Sequence, residues 1–168
     1  DDRFDHVLWG PYLSVPSGYA EDPDLRHNAS SGGILSALLV HLLDSGEGDC
    51  VLQIAADPKR PIGNQTVFSN SADDVVQSAG ARYAPAAPLA EIGTLLDGNM
   101  RYAFVGKPCD VAALRAMGRS DARVGARFPY MLSFFCAGVP SLKGANEILS
   151  EMGVSENALA QFRYRGDG

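Results

Sequence analysis

Three cysteines stand in the chain, Cys50, Cys109 and Cys136, and two of them share a setting. Phe104-Val105-Gly106-Lys107-Pro108-Cys109 and Phe134-Phe135-Cys136-Ala137-Gly138-Val139-Pro140 each join an apolar run to a cysteine, small residues and a proline, ahead of a helical pattern. In open α/β sheets, ligands bind outside the carboxyl ends of strands. Two thiols at such ends can converge on one site. Three chemistries suit them: plain buried thiols, ligation of a metal or an iron–sulfur cluster, or a reactive thiol at Cys109. Neither lies in a CxxC pair, so spacing leaves the choice open. Cys50 opens an apolar run and reads as an inert core residue.

Ala29-Ser30-Ser31-Gly32-Gly33 is a second candidate, ahead of a leucine-rich helix. Free backbone N–H groups and the positive dipole end make a helix start an anion site. Glycine there lets a phosphate or a flat ring approach the backbone. The same residues also serve as a simple helix cap. In Gly80-Ala81-Arg82-Tyr83, the arginine can pair with a phosphate and the tyrosine can stack on a ring, or the segment is a surface turn. Lys107 can bring positive charge to a cofactor or stay solvated. Arg163-Tyr164-Arg165-Gly166-Asp167-Gly168 puts two arginines on one face of an expected strand, suited to an anion, a partner or solvent. His6, His27 and His41 share no metal spacing.

The elements that must position these groups alternate. Ile34, Leu35, Leu38, Leu39, Leu42 and Leu43 repeat at helical spacing, after Ser30 and Ser31 as N-caps and before Gly46. Residues 50–55 read as a buried strand, 57–63 as a turn region and 66–68 as an edge or hairpin strand. Ser71 and Asp74 form a capping box for a helix to about Ser78. Helices are expected over 88–97, 110–117 and from Ser141 to Met152; strands over 101–105, 130–135 and 161–165. This predicts a single α/β domain with a mixed, partly parallel sheet flanked by helices. Residues 1–29, broken by Pro11, Pro16, Gly18 and Pro23, are expected to form an irregular N-terminal wrap around a 30–168 domain.

The 168 residues are 46% apolar and 20% charged, ordinary for a globular domain. A net charge of −6 argues against nucleic-acid binding. No apolar run is long enough to span a membrane. Three cysteines make no disulfide framework, which suits a reducing cytoplasm. Both chain ends read as interior points of a longer protein.

Four of these segments, in this order, resemble the coenzyme F420 hydrogenase/dehydrogenase beta-subunit family: Ala29–Gly33, Gly80–Tyr83, Val105-Gly106-Lys107-Pro108-Cys109-Asp110-Val111-Ala112-Ala113-Leu114, and Phe135-Cys136-Ala137-Gly138. Tyr164-Arg165-Gly166 adds to the likeness. The resemblance covers nearly the whole chain and extends to 7-hydroxymethyl chlorophyll a reductases. It implies an oxidoreductase subunit that passes electrons between a [4Fe–4S] cluster and a two-electron acceptor through FAD. It places Ser30, Ser31, Gly32, Gly33, Arg82, Tyr83 and Lys107 at the flavin, and Cys109 and Cys136 among the cluster ligands. It implies a partner redox subunit or a ferredoxin, and F420 or another small acceptor. The chain departs from the family in lacking an upstream cysteine-rich segment, so its cluster is expected to be incomplete or absent. Ala81, Lys107 and Asp110 also differ from the usual family residues. The alternative is a cofactor-free domain that keeps the fold for partner binding.

Overall fold

The computed structural model of the chain describes residues 4–164. Within residues 1–29, expected to be irregular, the described part, 4–29, contains three short elements. β1 (Phe4–His6) and β2 (Gly10–Tyr12) pair as an antiparallel hairpin, with Phe4 stacked on Tyr12. α1 (Pro23–Asn28) follows, capped by Asp22 Oδ1, which accepts from the N–H groups of Asp24 and Leu25. Pro23 fits the first turn because its missing N–H is not needed there.

The leucine repeat forms α2 (Ile34–Asp44). The serines expected to cap it do not: the Ser30 side chain makes no cap hydrogen bond, and Gly33 holds the N-cap with φ 74° after a short 3-10 turn at Ser31–Gly33. β3 (Cys50–Asp57) and β4 (Arg60–Ser69) then form a long antiparallel hairpin. The expected turn at Pro61-Ile62-Gly63 lies inside β4. β4 is an edge strand, where proline is tolerated. α3 (Ala72–Gln77) carries the expected capping box: Ser71 Oγ accepts from the Asp74 N–H at 3.2 Å, and Asp74 Oδ2 accepts from the Ser71 N–H at 3.1 Å. α4 (Ile92–Asp97) starts later than the expected 88, after a series of turns. β5 (Tyr102–Gly106), α5 (Pro108–Met117), α6 (Arg123–Arg127), β6 (Tyr130–Ser133) and α7 (Leu142–Glu151) follow, and a 3-10 turn at Glu156–Ala158 completes the order. Residues 161–164 form no strand, against expectation, and Arg165, Gly166, Asp167 and Gly168 lie outside the described residues.

The sheet order is β4-β3-β5-β6. β3, β5 and β6 are parallel and β4 is antiparallel, so the sheet is mixed and partly parallel. Cys50, Leu52, Tyr102 and Phe104 join one core cluster with Leu114, Val124 and Phe128. Val51 and Ala103 join another with Leu39, Leu42 and Val75. Cover on both faces explains why these strands read as unbroken apolar runs. β6, expected to be buried through residue 135, ends at Ser133, and Phe135 is 91% exposed. Its place at the sheet edge leaves its end without cover. At the start of the central strands, Arg101 donates to Asp49 Oδ1 at 2.8 Å and to the Gly46 carbonyl at 2.8 Å. The pair is exposed, and the arginine holds the Asp49 carboxyl below its ordinary range.

Candidate functional site

β3 and β5 pair for three residues only, Cys50 with Tyr102 through Leu52 with Phe104. Beyond that the two strands part. β3 stays with β4, and β5 continues along β6 to Gly106. A cavity of about 640 Å³ opens in the fork, with Gln53 and Ile54 on one side and Val105 and Gly106 on the other. It therefore sits toward the carboxyl ends of the parallel strands, where α/β sheets hold ligands. Its volume is that of a small-molecule or cofactor site.

Ser30 and Ser31 reach this cavity from the start of α2, and Arg82 and Tyr83 reach it from the loop after α3. Lys107 enters from the end of β5 and Cys136 from the segment after β6. These six expected site residues share one hollow. Three others are absent from its lining. Gly32 and Gly33 serve close packing: a Cβ on Gly32 would lie 3.1 Å from Tyr19 Cβ, and one on Gly33 would lie 3.1 Å from Ala20 Cβ and 3.2 Å from the Leu25 carbonyl oxygen. Both have positive φ, 72° and 74°, which glycine adopts without strain. Ser31 also has positive φ, 53°, and a side chain there is uncommon. Cys109 is exposed in the first turn of α5, outside the lining.

Charge in the cavity comes from Arg82, Lys107 and Asp110. Lys107 Nζ donates to Asp110 Oδ2 at 2.6 Å, both about a fifth exposed. The pair spans the first turn of α5, so Asp110 also lies where a helix favours negative charge. Among the described residues, no carboxylate pairs with Arg82. It donates to Asn64 Oδ1 at 2.9 Å and to the carbonyls of Pro61, Gly63 and Phe162 at 2.8, 2.6 and 3.0 Å. Burial lowers its pKa from the ordinary guanidinium value. Tyr83 meets Tyr164 edge to face at 5.3 Å.

Gln53 and Asn64 are lining residues that the sequence reading passed over. Gln53 left a signal: it interrupts the apolar run 50–55, and a buried polar group is the informative kind. Its Nε2 donates to Ser69 Oγ at 2.9 Å. Asn64 Nδ2 donates to the Ala84 carbonyl at 2.8 Å, and nothing local in the sequence marks that contact. Cys50 is buried in β3, and desolvation pushes its thiol up to about 11, so it stays protonated at neutral pH. Cys136 is exposed. Among the described residues, no group of three or more His, Cys, Asp or Glu side chains is placed to hold a metal ion. Also among them, no helix is long and apolar enough to cross a membrane.

Two family models match the chain. Residues 15–92 match the N-terminal part of the coenzyme F420 hydrogenase/dehydrogenase beta subunit, and residues 99–168 match its C terminus. The chain is 26% identical over 155 residues to the coenzyme F420 hydrogenase subunit beta of Methanococcus voltae, a match covering 85% of this chain and 52% of the relative. It is 26% identical over 122 residues to the F420-dependent formate dehydrogenase subunit beta of Methanocaldococcus jannaschii, covering 73% of this chain and 32% of that one. The chain thus spans about half, or less, of the length of these relatives. Among solved structures, a chain of the F420-reducing [NiFe] hydrogenase complex from Methanosarcina barkeri superposes with a TM-score of 0.73 at 19% identity, covering 88% of this chain and 52% of that one. That likeness is one of fold.

Proposed function

The chain belongs to the coenzyme F420 hydrogenase/dehydrogenase beta-subunit family, and on that premise we propose that its forked-strand cavity binds a flavin, FAD, for electron transfer. The observation that carries this reading is the meeting of Ser30, Ser31, Arg82, Tyr83, Lys107 and Cys136 around one hollow. Its residues suit a flavin. Tyr83 and Phe134 offer faces and edges for a ring system. Gln53 and Asn64 offer polar groups for orientation, and Lys107 offers a cation once an anionic ligand competes with Asp110. Bound flavin would supply the exchange of single electrons for a two-electron, one-proton transfer. The protein's part is to hold the ring, exclude water and carry the counter-charge.

The relatives, an F420 hydrogenase beta subunit and an F420-dependent formate dehydrogenase beta subunit, support a choice of partners. A redox subunit or ferredoxin is the proposed one-electron partner, and F420 or another small molecule the two-electron one. An iron–sulfur cluster does not fit the described residues by themselves. A [4Fe–4S] cluster takes four protein ligands. Cys109 and Cys136 offer at most two exposed thiols, and Cys50 is locked in the sheet.

Titration with FAD, followed by flavin fluorescence, tests the reading. One-to-one saturation is expected, weakened at least about tenfold by Ala81→Trp, which projects bulk into the cavity. Absence of saturable binding to the full-length protein would remove the flavin. A second reading, a cofactor-free partner-binding domain, draws on the hairpin: Val7, Leu8 and Trp9 at its turn are all largely exposed.

A further inference from the structure

We infer that Arg82 is a positioning residue, which clamps the cavity wall at residues 80–84 to the segment carrying Phe162 and Tyr164, so that the two are ordered together. The inference rests on the flavin reading only for its ligand arm. Arginine carries five N–H donors in a rigid fork. In Arg82 all three nitrogens are engaged: Nε with Asn64 Oδ1, Nη1 with the Phe162 carbonyl, and Nη2 with the carbonyls of Pro61 and Gly63. The guanidinium also lies over the Tyr164 ring, 5.4 Å from its centroid. One side chain therefore joins β4, the cavity loop and the last described residues.

The joined parts support each other. Tyr164 Oη donates to the Ile62 carbonyl at 3.0 Å, beside the two carbonyls that Arg82 holds. Tyr164 packs edge to face on Phe162 at 4.7 Å and on Tyr83 at 5.3 Å. Asn64 accepts from Arg82 and donates to Ala84, which ties both sides of Tyr83 to β4. Tyr83 lines the cavity. The hub thus reaches from the ligand space to residue 164 through direct contacts. An anionic ligand recruiting Arg82 would strip three part-buried carbonyls of their donors, and such unpaired groups are costly. Arg82 is thereby assigned to shape, and Lys107 is the cavity cation left to meet an anion.

The first test is amide hydrogen exchange on the full-length protein without ligand, which reads local opening. In Arg82→Met, residues 80–84 and 159–164 should both exchange at least about tenfold faster while the β3–β5 core is unchanged. Arg82→Lys keeps the charge but not the fork, and should behave like Arg82→Met. Asn64→Ala, a milder change, should loosen the same two segments to a smaller extent. Recovery in Arg82→Lys, or faster exchange in only one segment, overturns the clamp. The second test compares FMN with riboflavin, which differ by a phosphate. Arg82→Met should weaken both by the same factor; a loss confined to FMN makes Arg82 a phosphate ligand and overturns the inference. If the unsubstituted protein binds none of FAD, FMN and riboflavin, the proposed function fails, and the exchange test still decides the clamp.

Discussion

The segments after β5 and β6 are near twins in composition, yet they end in different structures. After Gly106, β5 passes through Lys107 straight into α5, and Pro108 starts that helix. Cys109 is carried onto the helix, exposed and away from the cavity. After Ser133, the chain runs through residues 134–140 without regular structure before α7. Cys136 stays with that stretch and lines the cavity. Position in the sheet accounts for the contrast. β5 is central, paired on both sides, and Phe104 is fully buried; β6 is an edge strand with partners on one side only. Similar residue types therefore acquire different roles according to how many neighbours their strand has.

Substitutions of the same residue type in the two regions sharpen or break that contrast. The largest difference is expected between Phe104→Ala and Phe135→Ala. The first empties a fully buried ring site and should cost about 3–5 kcal/mol. The second removes a ring that is 91% exposed and should change stability by less than about 0.5 kcal/mol. Denaturant midpoints measure both, and equal losses would contradict the contrast. Next come the glycines. A Cβ at Gly106 would lie 2.6 Å from Phe104 Cζ, inside a full core, so Gly106→Ala should cost about 1–3 kcal/mol. Its cost should shrink in a Phe104→Leu background, which a double-mutant cycle detects. Gly138→Ala meets nothing within 4 Å, and only its φ of 129° resists, so about 1 kcal/mol is expected.

The smallest expected effects concern the thiols. Iodoacetamide at neutral pH should label Cys109 and Cys136 in the native protein and reach Cys50 only on unfolding. Equal native labelling of Cys50, read by peptide mass, would contradict its burial. Cys50 also sets a pH dependence. Its thiol titrates at 9.0 when unperturbed and at about 11 in the fold, where burial keeps it protonated. The folded chain thus holds this proton longer than the unfolded one. The contribution is complete below pH 9.0 and is lost as pH rises toward about 11. Unfolding midpoints should fall less across that window in Cys50→Ala than in the unsubstituted protein.

Much of the fold was legible because the signals were local. The leucine spacing of α2, the apolar runs of β3 and β5, and the Ser71–Asp74 cap each state their own structure. The misreadings came where a distant neighbour decides. Pro61 looks like a turn until β4 is known to be an edge. α6 holds Gly125 among five residues and is kept by Val124, which is buried against the core from across the chain. Phe162 and Tyr164 read as strand residues, but their partners lie on β4 and on the loop after α3. For the cavity, segments ahead of or after helices and strands were readable as candidates. Which side chain of each segment faces inward was not, because Gly32, Gly33 and Cys109 are turned by the helix starts they occupy.

The parting of β3 from β5 after three paired residues has a wider meaning. The mouth between them is drawn by main-chain geometry, and side chains only furnish it. Exchanging a rim residue such as Ala81 or Ser133 alters what the recess prefers to hold while leaving its outline in place. A backbone fork of this kind is a fitting that can be refurnished for new guests without rebuilding the frame.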